Sequence, residues 1–490
     1  MSAKRATYFT DPSAGGRAIN SWEDETHSRT EAAEDYRADR MFLGAAIEPL
    51  GLPRAAADRV RFEGPDSLPS AFAVTAFASA AIGAAALAVS ELVAAVADAP
   101  PVTVDRRLAS LWFGMSIKPV AWTLPSPWDP IAGDYPAADG WIRLHTNAPR
   151  HRRAALHVLN CAPERSIVAE AVKPWSAEAL ETAVVEAGGC AAAMRTVAEW
   201  GAHPQGRAVF AEPLIAMEKV GAAPSSWRPT EARPLAGVKV LDLTRVLAGP
   251  VAARFLAGYG ADVLRIDPPD WDEPAIEPEV TLGKRCARLD LRQPPDRARF
   301  EGLISEADLF IHGYRPEALG ALGYGEDIRR ALNPSVVDVR LDAYGWSGPW
   351  RNRRGFDSLI QMSTGIAAAG RAWRGADKPV SLPVPALDHA TGYFMAAAAV
   401  RGLALRLSKG QAISASLSLA RTAALLMGTP RQGIEPKALT PADADYSADI
   451  EVTDWGSAHR ALPPVTVAGA PMGWTRPASR LGSAPAAWGA

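Results

Sequence analysis

VKVLDLTRVLAGPVAARFLAGYGADVLRIDPP, residues 238–269, reads as strand, helix, strand. VKVLDLT (238–244) is a short apolar run. GPVAARFLAGYGA (249–261) has helical spacing, with Pro250 as a helix-starting residue. DVLRIDPP (262–269) is a second strand, stopped by an acid and two prolines. Working outward, RCARLDL (285–291) reads as a third strand, followed by a helix to about 305. ADLFIHGYRP (307–316) reads as a fourth and SVVDVRLDAYG (335–345) as a fifth. Strands alternating with helices at this spacing predict an α/β fold: a parallel, Rossmann-like sheet with helices on both faces. Ligands of such sheets bind beyond the carboxyl ends of the strands. Those ends carry Thr244–Arg245, Asp267–Pro268, His312–Arg315 and Asp342–Trp346. The first turn, DLTRVLAGP, has Gly249 but no G-x-G-x-x-G, which argues against a dinucleotide site; no P-loop and no G-x-S-x-G is present.

The bulk numbers bound the reading. The chain has 490 residues, 48% hydrophobic and 22% charged, with 52 Lys and Arg against 54 Asp and Glu. A net charge of −2 gives no pull toward nucleic acid or an anionic membrane. Cys161, Cys190 and Cys286 lie far apart, offering neither a disulfide framework nor a zinc spacing, and fit a reducing cytoplasm. The start, MSAKRATYFTDPSAGG, lacks a continuous apolar core, so no signal peptide is expected. Residues 71–97 are long enough to cross a bilayer. They are mostly alanine and include Glu91, which favours a tightly packed buried helix over a membrane span.

Residues 1–40 are polar and read as a flexible segment. A Pro-rich connector, PSSWRPTEARPLAG (224–237), separates a first half, 41–230, from a sheet domain, 231–425, with a return segment at 426–490. Within the first half, 41–115 reads as helical, GWIRLH (140–145) as a strand, and 150–202 as helices with an exposed piece at TVAEW.

One carboxylate stands out. Asp388 lies in LPVPALDHATGYFMAAAAVRGLAL (382–405), where a short apolar run enters an Ala-rich helix. An acid there is either a helix N-cap or a group kept for chemistry, because a buried acid is costly unless paired or used.

LAGVKVLDLTRVLAGPVAARFLAGYGADVLRIDPP, GKRCARLDL, GYRPEALGALGYG, NPSVVDVRLDAYGWSGPW, RRGFDSLIQMSTG and ALDHATGYFMAAAA, in that order across 235–425, resemble the class III CoA-transferases, the CaiB/BaiF family. The resemblance implies transfer of CoA from an acyl-CoA to a free carboxylic acid, with Asp388 as covalent nucleophile, no metal and no ATP. It places Val246, Leu247, Lys284, Arg285, Gly313, Tyr314, Arg315 and Arg354 near CoA, with Arg245 as a further basic partner. It gives Asp357 a supporting role at the reacting centre. Lys284 and Arg285 equally read as a solvated pair at a strand start, and Tyr314 as a cover for the core. Gly313 replaces an Asn common in the family. Phe356 replaces the His that racemases carry before Asp357, which disfavours an acyl-CoA racemase or epimerase; a silent acyl-CoA-binding protein is the other alternative. The family implies a homodimer, with no nucleic-acid or membrane partner.

The first half resembles a rearranged, nucleophile-free portion of the same family, and through DGWIRLH (139–145) and AGGCAAAMRTVAEWGAHPQGRAV (187–209) the resemblance implies a smaller α+β domain. LPSAFAVTAFASAAIGAAALAVSEL (68–92) loosely parallels the Asp388 segment, and aligning the two Leu-Pro pairs sets Val74 opposite Asp388.

Overall fold

The computed structural model describes residues 36–65, 67–429 and 438–489. The expected flexible segment at 1–40 lies almost wholly outside them. The central sheet has seven strands: β1 (Ala216–Ala222), β2 (Lys239–Leu243), β3 (Asp262–Asp267), β4 (Lys284–Arg288), β5 (Leu309–His312), β6 (Val337–Asp342) and β7 (Gln411–Ser418). Their order across the sheet is β4-β3-β2-β5-β6-β7-β1. The first six are parallel, and β1 runs antiparallel against β7. The five strands expected between 238 and 345 all form, each a few residues shorter than its apolar run. They read as near-continuous apolar stretches because both faces are covered; Val240, Leu241, Phe310 and Val339 are fully buried. Strand order reverses between β2 and β5, which opens a crevice beyond their carboxyl ends.

β1 lies before the Pro-rich connector yet is hydrogen-bonded into this sheet. A division near residue 230 therefore cuts through one sheet, because edge-strand pairing holds the two sides together. The return segment likewise pairs with the first half: 465–467 with 102–105, and 456–460 with 117–119. Two strands of the first half, 60–63 and 102–105, form within the stretch expected to be helical, and 191–193 adds a strand among the expected helices. The small α+β domain is built on an antiparallel sheet of 133–136, 141–144 and 191–193. Three helices cover it through Leu159, Val168, Val172, Leu180 and Val184. Trp200, in the piece expected to be exposed, is fully buried.

Four helices position the centre: α1 (Val74–Val93), α2 (Ala248–Gly258), α3 (Asp357–Thr364) and α4 (Ala386–Lys409). Among the described residues α1 alone is long and apolar enough to cross a membrane, and nearly all of it is buried inside the protein. It lies against α4, with Phe77 meeting Phe394 edge to face at 6.2 Å. Both helices are Ala-rich because their neighbours approach closely. A Cβ on Gly392 would run into the Ala248 carbonyl and come within 2.9 Å of Val251 on α2. A Cβ on Gly402 would lie 2.5 Å from Val337 on β6. Those two glycines set the depth at which α4 lies, and so the place of its first turn.

Candidate active site

Asp388 occupies the first turn of α4 and is 8% exposed. It does not cap its own helix. The N-cap is Pro385, which has no capping side chain. That task falls to Asp357 at the start of α3, whose Oδ2 accepts the backbone N–H groups of Leu387 (2.9 Å) and Asp388 (3.1 Å). The other oxygen of Asp357 accepts the side-chain amide of Gln361. Gln361 in turn accepts the Leu382 N–H at 2.7 Å, which pins the loop leading into α4. Gln361 follows Asp357 by one helical turn and shares its face; it was not singled out in the sequence.

Among the described residues no group donates a hydrogen bond to the Asp388 carboxylate. Burial pushes its pKa well above the ordinary aspartate range, and the neighbouring Asp357 charge pushes it further. Asp357 is also raised by burial, against the pull of Gln361 and the two backbone amides. The two carboxyls titrate as a pair. Asp357 has three donors to hold its charge, whereas the Asp388 carboxyl has none among the described residues. Position in the first turn of a long helix favours the negative form of Asp388 when it is needed.

Beyond the carboxyl ends of β2, β3 and β5 lies a cavity of about 390 Å³, at the reversal of strand order. Arg245, Trp271, Tyr314, Arg150, Arg153 and Asp267 are among its walls. Arg245 is sandwiched between the Trp271 and Tyr314 rings, at 4.9 and 5.3 Å, and donates to the Tyr314 hydroxyl at 2.8 Å. Val246, in the turn after β2, has φ of 64°, a strained conformation for a β-branched residue. Its N–H donates to Glu273 at 2.9 Å, which holds the turn in place. Leu247, next to it, is buried. Gly313 is exposed at the mouth, with Tyr314 and Arg315 half-buried beside it.

Four guanidiniums gather here without a carboxylate partner among the described residues. Burial and the charges of Arg354 and Arg245 lower the pKa of Arg150; burial and Arg315 lower that of Arg354. Arg315 donates only to the Asn352 carbonyl, at 3.0 Å. Asp267 and Asp270 also line the cavity, but guanidiniums without a bonded carboxylate can take up an anion. Arg150 comes from the small domain, at the start of the helix Pro149–Leu159. It was missed in the sequence because nothing in PRHRR (149–153) marks which arginine the fold carries to the sheet.

Lys284 and Arg285 are corrections. Lys284 is 1% exposed, bonded to Asp242 and to the Pro250 carbonyl, both at 2.9 Å. Arg285 is buried against Asp262 at 2.7 Å and donates to the Ala487 carbonyl. Both cations neutralise acids on neighbouring strands, so neither is offered to a ligand. Phe356 is the N-cap of α3, and its ring stacks on His145. His389, beside Asp388, is fully buried with both ring nitrogens unpartnered; it stacks on Phe113 at 5.1 Å, a packing role.

Residues 235–439 match the model of CoA-transferase family III. That segment is similar to this family over its whole length. It holds Asp357, Asp388, Arg245, Arg315 and Arg354, whereas Arg150 and His145 lie outside it. An acetyl-coenzyme A transferase of Hypoxylon pulicicidum is 33% identical over 208 residues, 40% of this chain and 35% of that protein. The succinyl-CoA–D-citramalate CoA-transferase of Chloroflexus aurantiacus is 34% identical over 157 residues, 29% of this chain and 39% of that protein. The crystal structure of Rv3272 from Mycobacterium tuberculosis aligns at 29% identity with a TM-score of 0.37, covering 40% of this chain and 58% of that one. The chain thus spans well under half the length of the two curated relatives.

Proposed function

We propose that the protein is a CoA-transferase that moves CoA from an acyl-CoA to a free carboxylic acid through covalent intermediates on Asp388. The observation that carries this reading is a buried aspartate with no donor to its carboxylate, relieved of helix capping by Asp357. A carboxylate kept at such cost, and free of any structural bond, suits a nucleophile.

Ionised Asp388 attacks the thioester carbonyl, and the C–S bond breaks. A mixed anhydride forms and CoA leaves as thiolate. The thiolate attacks the Asp388 carbonyl, the acyl group leaves as a carboxylate, and an aspartyl-CoA thioester remains. A second acid then attacks that thioester, and the same steps run in reverse return Asp388. One thioester replaces another, so the exchange is near neutral in energy. The chain's task is positioning and exclusion of water, worth effective concentrations of about 10⁵ to 10⁸ M. Asp357 fixes the first turn of α4 and keeps its own charge. The Arg150, Arg245, Arg315 and Arg354 group suits the phosphates of CoA, with Trp271 and Tyr314 offering faces to adenine. Phe356 supplies no proton, which disfavours racemisation.

The test is Asp388→Ala. Loss of transfer with CoA binding retained supports the reading; transfer at the wild-type rate refutes it.

A further inference from the structure

His145 lies just past the strand Trp141–Leu144 of the small domain, far in sequence from the carboxylate pair. Its ring lies flat on Phe356, with centroids 3.8 Å apart and planes 9° from parallel. Trp128 closes one side, edge-on at 5.9 Å. Phe356 immediately precedes Asp357, so the imidazole is carried to the start of α3. Its Nδ1 is 3.5 Å from the Ser358 hydroxyl, a weak contact at the limit of a hydrogen bond. The backbone N–H of His145 donates to the Cys190 carbonyl at 2.9 Å, which fixes the residue's height. The residue is 6% exposed. Its Nε2 has no partner among the described residues, yet it is not among the nitrogens sealed from the surface, as both of those of His389 are. Burial and the charges of Arg143 and His151 hold the pKa down at about 3, so the ring is neutral across physiological pH.

A stacking role alone is filled as well by phenylalanine, without burying a polar edge that costs about 1–3 kcal/mol when unmet. A neutral imidazole held by one face on Phe356 and bounded by Trp128, with Nδ1 at 3.5 Å from the Ser358 hydroxyl and Nε2 unpaired among the described residues, is a preorganised donor. In the tautomer where the Ser358 hydroxyl donates to Nδ1, the proton is on Nε2.

We propose that His145 is a catalytic residue of the Asp357–Asp388 centre, its neutral Nε2–H donating to the acyl oxygen that gains negative charge as Asp388 attacks. This rests on the transferase reading above. The donor carries no charge to be quenched by Asp357 and gives up no proton, so it stabilises the oxyanion without competing for the Asp388 proton. It also accounts for a small-domain residue being brought to Phe356, next to Asp357.

The experiment compares His145→Phe, which keeps the flat stack and removes the donor, with His145→Gln, which keeps a neutral donor. For each, kcat, KM for acetyl-CoA or succinyl-CoA, CoA affinity and Tm are measured, with Asp388→Ala alongside. The expected result is a kcat about 10²-fold lower for His145→Phe, KM and CoA affinity within about threefold, and Tm unchanged or higher; His145→Gln stays within about tenfold of wild type. If His145→Phe does not fold, His145→Leu makes the same comparison. Wild-type kcat in the donor-less variant, with Asp388→Ala inactive, overturns the role of His145 and leaves the transferase reading intact. Equal losses in the Phe and Gln variants, tracking a fall in Tm, overturn it as well. Activity surviving in Asp388→Ala overturns the transferase reading itself.

Discussion

The segments 60–112 and 337–427 are built alike, and they differ where chemistry is done. Each holds a strand, a long buried helix, a second strand paired in parallel with the first, and a short helix; the second segment also carries α3 and the helix Ile366–Arg374 between its first strand and its long helix. Each second strand ends in a side chain that caps the short helix: Asp105 accepts the Leu108 N–H, and Ser418 accepts the Arg421 N–H. The two long helices, α1 and α4, pack against each other. At the head of α1 stands Val74, 1% exposed, and Thr75 accepts the Ser67 and Leu68 N–H groups at 3.0 and 3.1 Å. At the head of α4 stand two buried carboxyls. The first arrangement shows that this fold closes the top of such a helix with apolar residues and one hydroxyl. Asp357 caps the head of α4, but no group among the described residues donates to the Asp388 carboxyl, so the burial of Asp388 is no requirement of the fold and works against it. This likeness also supports reading 60–112 as a nucleophile-free copy.

The largest expected effect is at Asp388. Asp388→Asn should lower transfer by about 10³-fold or more while making the protein more stable at neutral pH. The sign follows from the raised pKa. The protonated form is favoured on folding, so that contribution is full below the unfolded pKa, about 4, and is lost as pH rises through the folded value. Thermal melts should show a gain for the variant at pH 7 that shrinks toward pH 4; a loss at pH 7 breaks the comparison.

Next comes Val74→Asp, which sets an acid into the head of α1 without an Asp357 or a Gln361 beside it. It should cost about 3 kcal/mol or more at pH 7, less at pH 4, read from denaturant midpoints. No cost would mean that both helix heads tolerate an acid.

The glycines sharpen the difference in depth. Gly392→Ala should cost about 1–3 kcal/mol, since its Cβ meets backbone of α2. Gly83→Ala on α1 meets only side chains, the nearest Val60 at 3.3 Å, and should cost less. Equal costs would remove the claim that α4 is held deeper.

Smaller still is the pH effect of Asp357. Asp357→Asn removes a negative neighbour, so the acidic limb of kcat/KM should move to lower pH. An unmoved limb would place the titrating group elsewhere. Arg354→Gln should weaken acyl-CoA binding by about tenfold with stability unchanged, the loss of one charge-assisted bond. Lys284→Met should do the reverse, because it strands the buried Asp242.

The parallel strands were legible because each is an apolar run ended by turn residues, and the burial of Asp388 at a helix start because an apolar run enters an Ala-rich helix there. The strands 60–63 and 102–105 were hidden by shortness: VRFE and VTVD are four residues each, too few for an alternating pattern to stand out. Lys284 and Arg285 misled because their acids, Asp242 and Asp262, lie 42 and 23 residues away, a distance over which charge pairing leaves no local pattern. Arg150 and His145 were unreadable for the same reason: the small domain that carries them reaches the centre only through tertiary packing.

The most direct test of the central claim is the intact mass of the protein after incubation with acetyl-CoA and succinyl-CoA, with and without hydroxylamine. The account predicts an adduct that hydroxylamine converts to a hydroxamate on the peptide holding Asp388, absent in Asp388→Ala. Turnover with no adduct at Asp388, or an adduct on another residue, would contradict it.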